Sequence, residues 1–153
     1  MTRRILASAL CLLTWAGAAD AQSTAWERGF DQNTEFAGTM TPKNDSSSVF
    51  CPSGGHVSIV LKAPVFRTTV SDQHKYSIVF AIDGQRRELV MTAHDEDLIF
   101  EGSDLNARNE IERFVDVLSQ GKTLIAAARN LGWRADFSLR DAHEALEGIL
   151  IGC

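Results

Sequence analysis

The sequence predicts an α+β protein that is mainly β. An antiparallel twisted sheet or a small β-sandwich carries two helices in its C-terminal half and one disulfide. Three observations point there. His56 to Leu61 and Tyr76 to Thr92 alternate apolar with polar residues, the period of a half-buried strand. Asp83-Gly84 sits between two strand-like runs, as a two-residue hairpin turn requires. From Asn106 the apolar period changes to that of an amphipathic helix.

Taken in order, Ser23 to Phe36 reads as a first strand, with Trp26 and Phe30 among polar residues. Gly38 to Ser48 is rich in Thr, Ser, Asn, Asp and Pro and reads as a loop. Its Asn44-Asp45-Ser46 matches a glycosylation sequon, which has meaning only in a glycosylating host. Val49 to Cys51 is short and apolar, and Pro52 to Gly55 is a turn. From His56, residues Val57, Ile59 and Leu61 point to one face. The Asp83-Gly84 turn sets a register: Ile82 faces Gln85, Phe80 faces Arg87, Ile78 faces Leu89 and Tyr76 faces Met91. Tyr76, Ile78, Phe80, Leu89 and Met91 then share a core-facing side. Leu98 to Phe100 adds a strand.

Asn106 to Gln120 reads as a helix, because Ile111, Phe114, Val115 and Leu118 form one stripe, with Gly121 as its stop. Thr123 to Ala128 lies between turns and reads as a strand. After Gly132, Trp133, Ala135 and Phe137 alternate against Arg134, Asp136 and Ser138. Ser138 to Asp141 has capping-box form ahead of Ala142, Ala145, Leu146, Ile149 and Leu150, a short helix ending near Gly152 and Cys153.

The first 21 residues stand apart. Arg3 and Arg4 precede a mostly apolar Ile5 to Ala19, and Ala19-Asp20-Ala21 has small-x-small form. That is a secretory signal peptide cut between Ala21 and Gln22. The apolar stretch is short for a spanning helix. Leu10 before Cys11 argues against a lipoprotein site, and the arginine pair lies too near the start to favour twin-arginine export. Residues 22–153 then form a single globular β-rich domain, expected to be soluble and periplasmic or secreted. No stretch of it suits a membrane span.

The chain has 153 residues, 44% hydrophobic and 23% charged, and a net charge of −5. The leader takes away two arginines and one aspartate, so the exported part is one charge more acidic. That balance offers no broad attraction to nucleic acid or anionic lipid. Of three cysteines, Cys51 and Cys153 survive cleavage. Two cysteines in an exported chain most simply pair, and a loop of about 100 residues makes such a bridge strongly stabilising in the chain-entropy model. No C-x-x-C supports a redox or metal alternative.

The candidate chemistry is thin. His94-Asp95-Glu96-Asp97 is the densest polar cluster, but it lacks ligand spacing and reads as a solvated turn. His56, His74, His94 and His143 are scattered without a zinc motif. Ser53-Gly54-Gly55 does not have the form of a nucleophile elbow. Neither G-x-x-x-x-G-K nor G-x-G-x-x-G occurs, so no cofactor is expected. Arg86-Arg87 reads as the wet side of the hairpin, with the Arg87 stem over Phe80. Trp26, Trp133 and Phe137 are expected in the core or its rim.

Phe114 to Leu124 reads as a helix, a Gly121-Lys122-Thr123 turn and a strand, and Phe137 to Ala142 opens the last helix. This order resembles two groups of exported bacterial proteins: the invasion-associated locus B family and the VasI-like family linked to type VI secretion. In the latter a mid-chain cysteine precedes a strand and a final cysteine closes the last helix, as Cys51 and Cys153 do here. Ile78 to Gly84, ending in Ile82-Asp83-Gly84, looks like the hairpin of both. Asp141 stands where the first family usually has glycine, and the extra internal cysteines common there are missing.

The resemblance implies an exported, non-enzymatic accessory or binding protein of the bacterial envelope. Its expected partner is an envelope or secretion-machine protein, or a host factor. Two alternatives make different demands. A periplasmic enzyme inhibitor predicts a protruding Gly38–Ser48 loop. A small hydrolase predicts a cleft joining His56 or His94 to a carboxylate. The binding protein predicts an apolar or aromatic surface patch.

Overall fold

The computed structural model describes residues 23–52, 55–151 and 153. The expected signal peptide and the expected Ala21–Gln22 cleavage point fall outside the described residues, as do Ser53, Gly54 and Gly152. Among the described residues nine strands form one open antiparallel sheet: β1 (Glu27–Asp31), β2 (Thr34–Met40), β3 (Ser46–Pro52), β4 (Ser58–Lys62), β5 (Lys75–Ile82), β6 (Gln85–His94), β7 (Asp97–Glu101), β8 (Thr123–Ala128) and β9 (Trp133–Ser138). Their spatial order is β1-β2-β3-β4-β7-β6-β5-β8-β9. Helix α1 (Phe66–Thr69) is a single turn, α2 (Leu105–Gln120) is the long helix and α3 (Ala142–Leu146) is short.

The β5–β6 hairpin has the register set by its turn, with Tyr76 opposite Met91, Ile78 opposite Leu89, Phe80 opposite Arg87 and Ile82 opposite Gln85. Asp83 and Gly84 both take positive φ, 47° and 84°, which is why this dipeptide fits. Helix α2 buries Ile111, Phe114, Val115 and Leu118, as the stripe predicted. The Asp104 carboxylate caps it by accepting from the Ala107 N–H at 2.9 Å. The Phe114 ring meets Phe80 edge-on at 4.9 Å, so α2 lies against the inner face of the sheet.

The sheet curls until its ends approach each other. Ser23 to Trp26 bridges the gap between β2 and β9. Thr24 N–H donates to Met40 O at 2.8 Å, and Trp26 Nε1–H donates to Ser138 O at 3.1 Å. Trp26 N–H reaches Arg140 O at 2.9 Å. Trp133 on β9 donates its indole N–H to the buried Asp45 carboxylate at 3.0 Å. Phe66 of α1 is fully buried and packs on Trp133 at 4.9 Å. Trp26, Trp133 and Phe137 are thus core residues, as expected.

Three expectations need correction. Ser23 to Phe36 is not one strand: Gln32 and Asn33 take positive φ (47° and 66°) and fold β1 back on β2 as a tight hairpin. Gly38 to Ser48 is not a loop, because Thr39 and Ser46 to Ser48 lie in paired strands and only residues 41–45 turn. Half-buried Thr and Ser suit a pleated strand as well as a loop, so composition alone misassigned them. The Ser138 capping box does not form. Ser138 Oγ instead accepts from Arg140 N–H, and α3 starts after Asp141, which sits at φ 63° without capping through its side chain. A left-handed position accepts aspartate or glycine, so glycine at Asp141 would fit here as well. Gly121 stops α2 as expected, through close packing rather than handedness. Its φ is −82°, and a Cβ there would meet Leu139 Cδ1 at 2.6 Å and Ile82 Cγ2 at 2.7 Å.

Cys51 of β3 is bonded to Cys153, with Cα atoms 5.4 Å apart and a sequence separation of 102. The Cys153 carbonyl also accepts from Arg108 Nη1 at 2.9 Å, tying the C-terminus to α2. We predict that Cys153→Ser lowers the unfolding free energy by about 2–5 kcal/mol. Urea denaturation of the oxidised parent and the variant measures it, and an unchanged midpoint contradicts a structural role for the bridge.

Candidate binding surface

Strand alternation sorts the side chains of the first half of the sheet. Ala37, Val49, Cys51, Ile59 and Leu61 turn inward and are buried. The opposite parity places Phe36, Gly38 and Met40 of β2 beside Ser48 and Phe50 of β3 on the outer face. The register aligns Gly29, Phe36, Phe50 and Ser58 in one row across four strands. Gly38, Ser48 and Val60 form the next row, and Met40, Ser46 and Lys62 the third.

The Phe36 and Phe50 rings stack at 5.5 Å and 26°. A Cβ at Gly29 would lie 3.1 Å from the Phe36 ring, so that ring overlies the backbone of β1. A Cβ at Gly38 would come within 2.8 Å of Ser48 Cβ, so glycine is what lets β2 and β3 approach here and keeps the floor low. The result is an open depression of about 520 Å³ with an aromatic wall. A second depression of about 910 Å³ shares Met40, Ser46 and Lys62 with it, so one groove runs on toward the β6–β7 turn.

That far end is charged and internally paired. Lys62 Nζ lies 2.8 Å from Asp97, and Arg67 Nε lies 2.8 Å from Glu96. His94 Nδ1 is 3.3 Å from Gln73 Nε2, and Asp95 N–H donates to Asp72 at 3.1 Å. His94 to Asp97 is therefore the turn between two strands that the sequence suggested. The His94 partner is an amide, so no nucleophile–base pair forms there. Among the described residues no group of three or more His, Cys, Asp and Glu converges to hold a metal.

The other candidates stay apart. His74 leans on the Tyr76 ring at 5.4 Å, and His143 is exposed on α3. Arg87 sits opposite Phe80 and donates to Glu110 of α2 at 2.7 Å. Arg86 turns to the opposite face of the hairpin, where it borders a shallow depression with Arg129. Ser53 and Gly54 lie outside the described residues.

Two short motifs that looked distinctive clasp each other. The Asp83 carboxylate accepts from Lys122 N–H at 3.1 Å, Thr123 N–H at 3.0 Å and Thr123 Oγ1–H at 3.1 Å. Asp83 N–H returns a bond to Thr123 O at 3.1 Å. Gly121-Lys122-Thr123 is thus a structural latch on the hairpin turn. The Thr123 N–H does most to hold the Asp83 carboxyl below its ordinary 3.8. Lys122 N–H, the Thr123 hydroxyl and the Lys122 charge add to it, and desolvation opposes them.

Sequence reasoning missed the Phe36–Phe50 wall because the Gly38–Ser48 segment read as a loop. The signal was present: Phe36, Gly38 and Met40 alternate with Ala37 and Thr39, around a compact Pro42-Lys43-Asn44 turn. No helix among the described residues is long and apolar enough to cross a membrane. Comparison with protein-family models, with curated proteins and with solved structures gives no match to this chain.

The latch makes a pH prediction. A carboxyl whose pKa is lowered on folding stabilises above its unfolded pKa and stops doing so as pH falls through the folded value. Asp83→Asn keeps a residue that tolerates left-handed backbone and removes the charge together with one of the two acceptor oxygens. The variant should melt below the parent at pH 7, and the gap should shrink as pH drops below 3.8. Thermal melts from pH 7 to pH 2.5 measure it, and a gap that holds at the acid end contradicts the assignment.

Proposed function

We propose that this chain is an exported, non-enzymatic binding protein of the bacterial envelope, acting as a secretion-associated or host-interaction accessory. Its partner is a protein, held on the outer face of β1 to β4. The observation that carries the reading is the groove whose wall is the Phe36–Phe50 stack. Aromatic side chains left outside a well-filled core are what a recognition surface uses, because they bury much area at low entropic cost. The groove is shallow and open, and it passes from apolar to charged without a reactive pair along it. The leader, the disulfide and the resemblance to exported accessory families support the location.

The inhibitor reading loses the protruding loop it asked for, since residues 38–48 are mostly paired strand. The hydrolase reading asked for a cleft joining His56 or His94 to a carboxylate; His94 Nδ1 lies beside the Gln73 amide, and His56 is exposed.

The test is site-specific photo-crosslinking in living cells from Phe50, in the groove, and from Val90, which is 54% exposed on β6. A single protein adduct formed from position 50 and not from position 90 is the expected result. Absence of any protein adduct at position 50 overturns the reading.

A further inference from the structure

Strand β1 ends the sheet, and its ladder to β2 determines which of its peptide groups are free. The two-residue turn at Gln32-Asn33 makes Asp31 and Thr34 a hydrogen-bonded pair. Counting back by two, Gly29–Phe36 and Glu27–Gly38 are also hydrogen-bonded pairs. Arg28 and Phe30 therefore turn their N–H and C=O groups away from β2. Trp26 has the same parity, and its N–H does point outward, to Arg140 O. Beyond Trp26 no strand pairs with this edge among the described residues. Phe30 is 74% exposed there.

The side chains along this edge state what fits. On the outer face Glu27 and Asp31 flank Gly29. Both carboxylates are exposed, and neither has an ion-pair partner among the described residues. Gly29 offers no side chain, and the Phe36 ring lies over it. A strand added antiparallel would place one residue directly opposite Gly29, in a close non-hydrogen-bonded pair, beside that ring. Its neighbours two positions either way would lie opposite Glu27 and Asp31. The complement is a strand with an apolar residue between two basic ones at alternate positions. A second copy of β1 is a poor complement, since pairing centred on Gly29 sets Glu27 against Asp31.

Resting on the binding-protein reading, we propose that β1 is the docking edge of this chain. It accepts an extended partner segment of the pattern Lys/Arg-x-apolar-x-Lys/Arg as a tenth strand, through the outward peptide groups of Arg28 and Phe30. Main-chain bonds hold the segment, the space beside Phe36 takes its apolar side chain, and Glu27 and Asp31 select its charge. The groove beside β1 is then where the rest of the partner lies.

The probe is a synthetic peptide, acetyl-Thr-Lys-Thr-Ile-Thr-Lys-Thr-amide, titrated into the ¹⁵N-labelled chain lacking its leader, with amide hydrogen exchange read residue by residue. The expected result is at least a tenfold slowing of exchange at Arg28 and Phe30 at saturating peptide. A peptide with Glu in both Lys positions should bind at least tenfold more weakly. Phe30→Pro removes an outward donor and leaves the β2 ladder intact, so it should abolish the protection. Its melting temperature checks the fold, and Glu27→Lys/Asp31→Lys gives a second variant that should invert the peptide preference.

Unchanged exchange at both amides with up to millimolar peptide overturns the proposal. So does protection that grows with protein concentration alone, which would assign the edge to self-pairing. The two levels separate in cells. If Phe30→Pro still captures the parent's partner from position 50, strand addition fails and the binding-protein reading stands. If position 50 captures no protein in the parent, that reading fails first.

Discussion

A single sheet with one apolar face has to hide that face, and nothing else in this molecule makes sense without that constraint. The side chains of β3 to β9 that turn inward are almost all buried, from Val49 through Phe80 to Phe137. One helix, α2, brings Phe114 against Phe80 but is too narrow to cover nine flat strands. The sheet therefore curls, and its natural twist supplies the direction. Curling brings the ends together, and Ser23 to Trp26 spans the remaining gap with hydrogen bonds to Met40, Ser138 and Arg140. The disulfide then anchors the C-terminal tail to β3, closing the structure from the other terminus.

The same arrangement explains why the outer face of β1 to β4 differs from the rest. Once the core is filled by inward residues, the aromatics of opposite parity have no interior to enter. Phe36 and Phe50 cover part of each other, and Phe36 shields the glycine on the edge strand. Gly38 holds the neighbouring strands close, leaving a groove. At its charged end two of the carboxylates are already paired, Asp97 with Lys62 and Glu96 with Arg67. Along β1 the opposite holds, and the carboxylates of Glu27 and Asp31 have no ion-pair partner among the described residues. Surface chemistry and sheet topology together give the binding-protein reading its shape.

Several features that stood out in the sequence turn out to hold the fold together. Gly121-Lys122-Thr123, read in the sequence as a turn before a strand, points its Lys122 and Thr123 N–H groups at Asp83 of the hairpin turn. His94 to Asp97 is a turn with its own salt bridges. Trp26 and Trp133 spend their indole N–H groups on the seam.

Local physics was legible in the chain. The Asp83-Gly84 turn determined its hairpin register, because both residues tolerate positive φ and a side-chain period of two leaves no freedom beyond it. The stripe of Ile111, Phe114, Val115 and Leu118 determined α2 and its buried side. Where one residue type serves two local states, the sequence was silent. Serine and threonine from Thr39 to Ser48 suit a strand or a loop, and only the ladders to β1 and β4 decide between them. The pairing of Cys51 with Cys153 could be proposed by count. That Asp83 would meet Thr123, that Phe36 would lie beside Phe50, and that β1 would be the end strand of the sheet all depend on strand order. Strand order is decided by how one apolar face closes on itself, a property of the whole sheet that no local stretch of sequence contains.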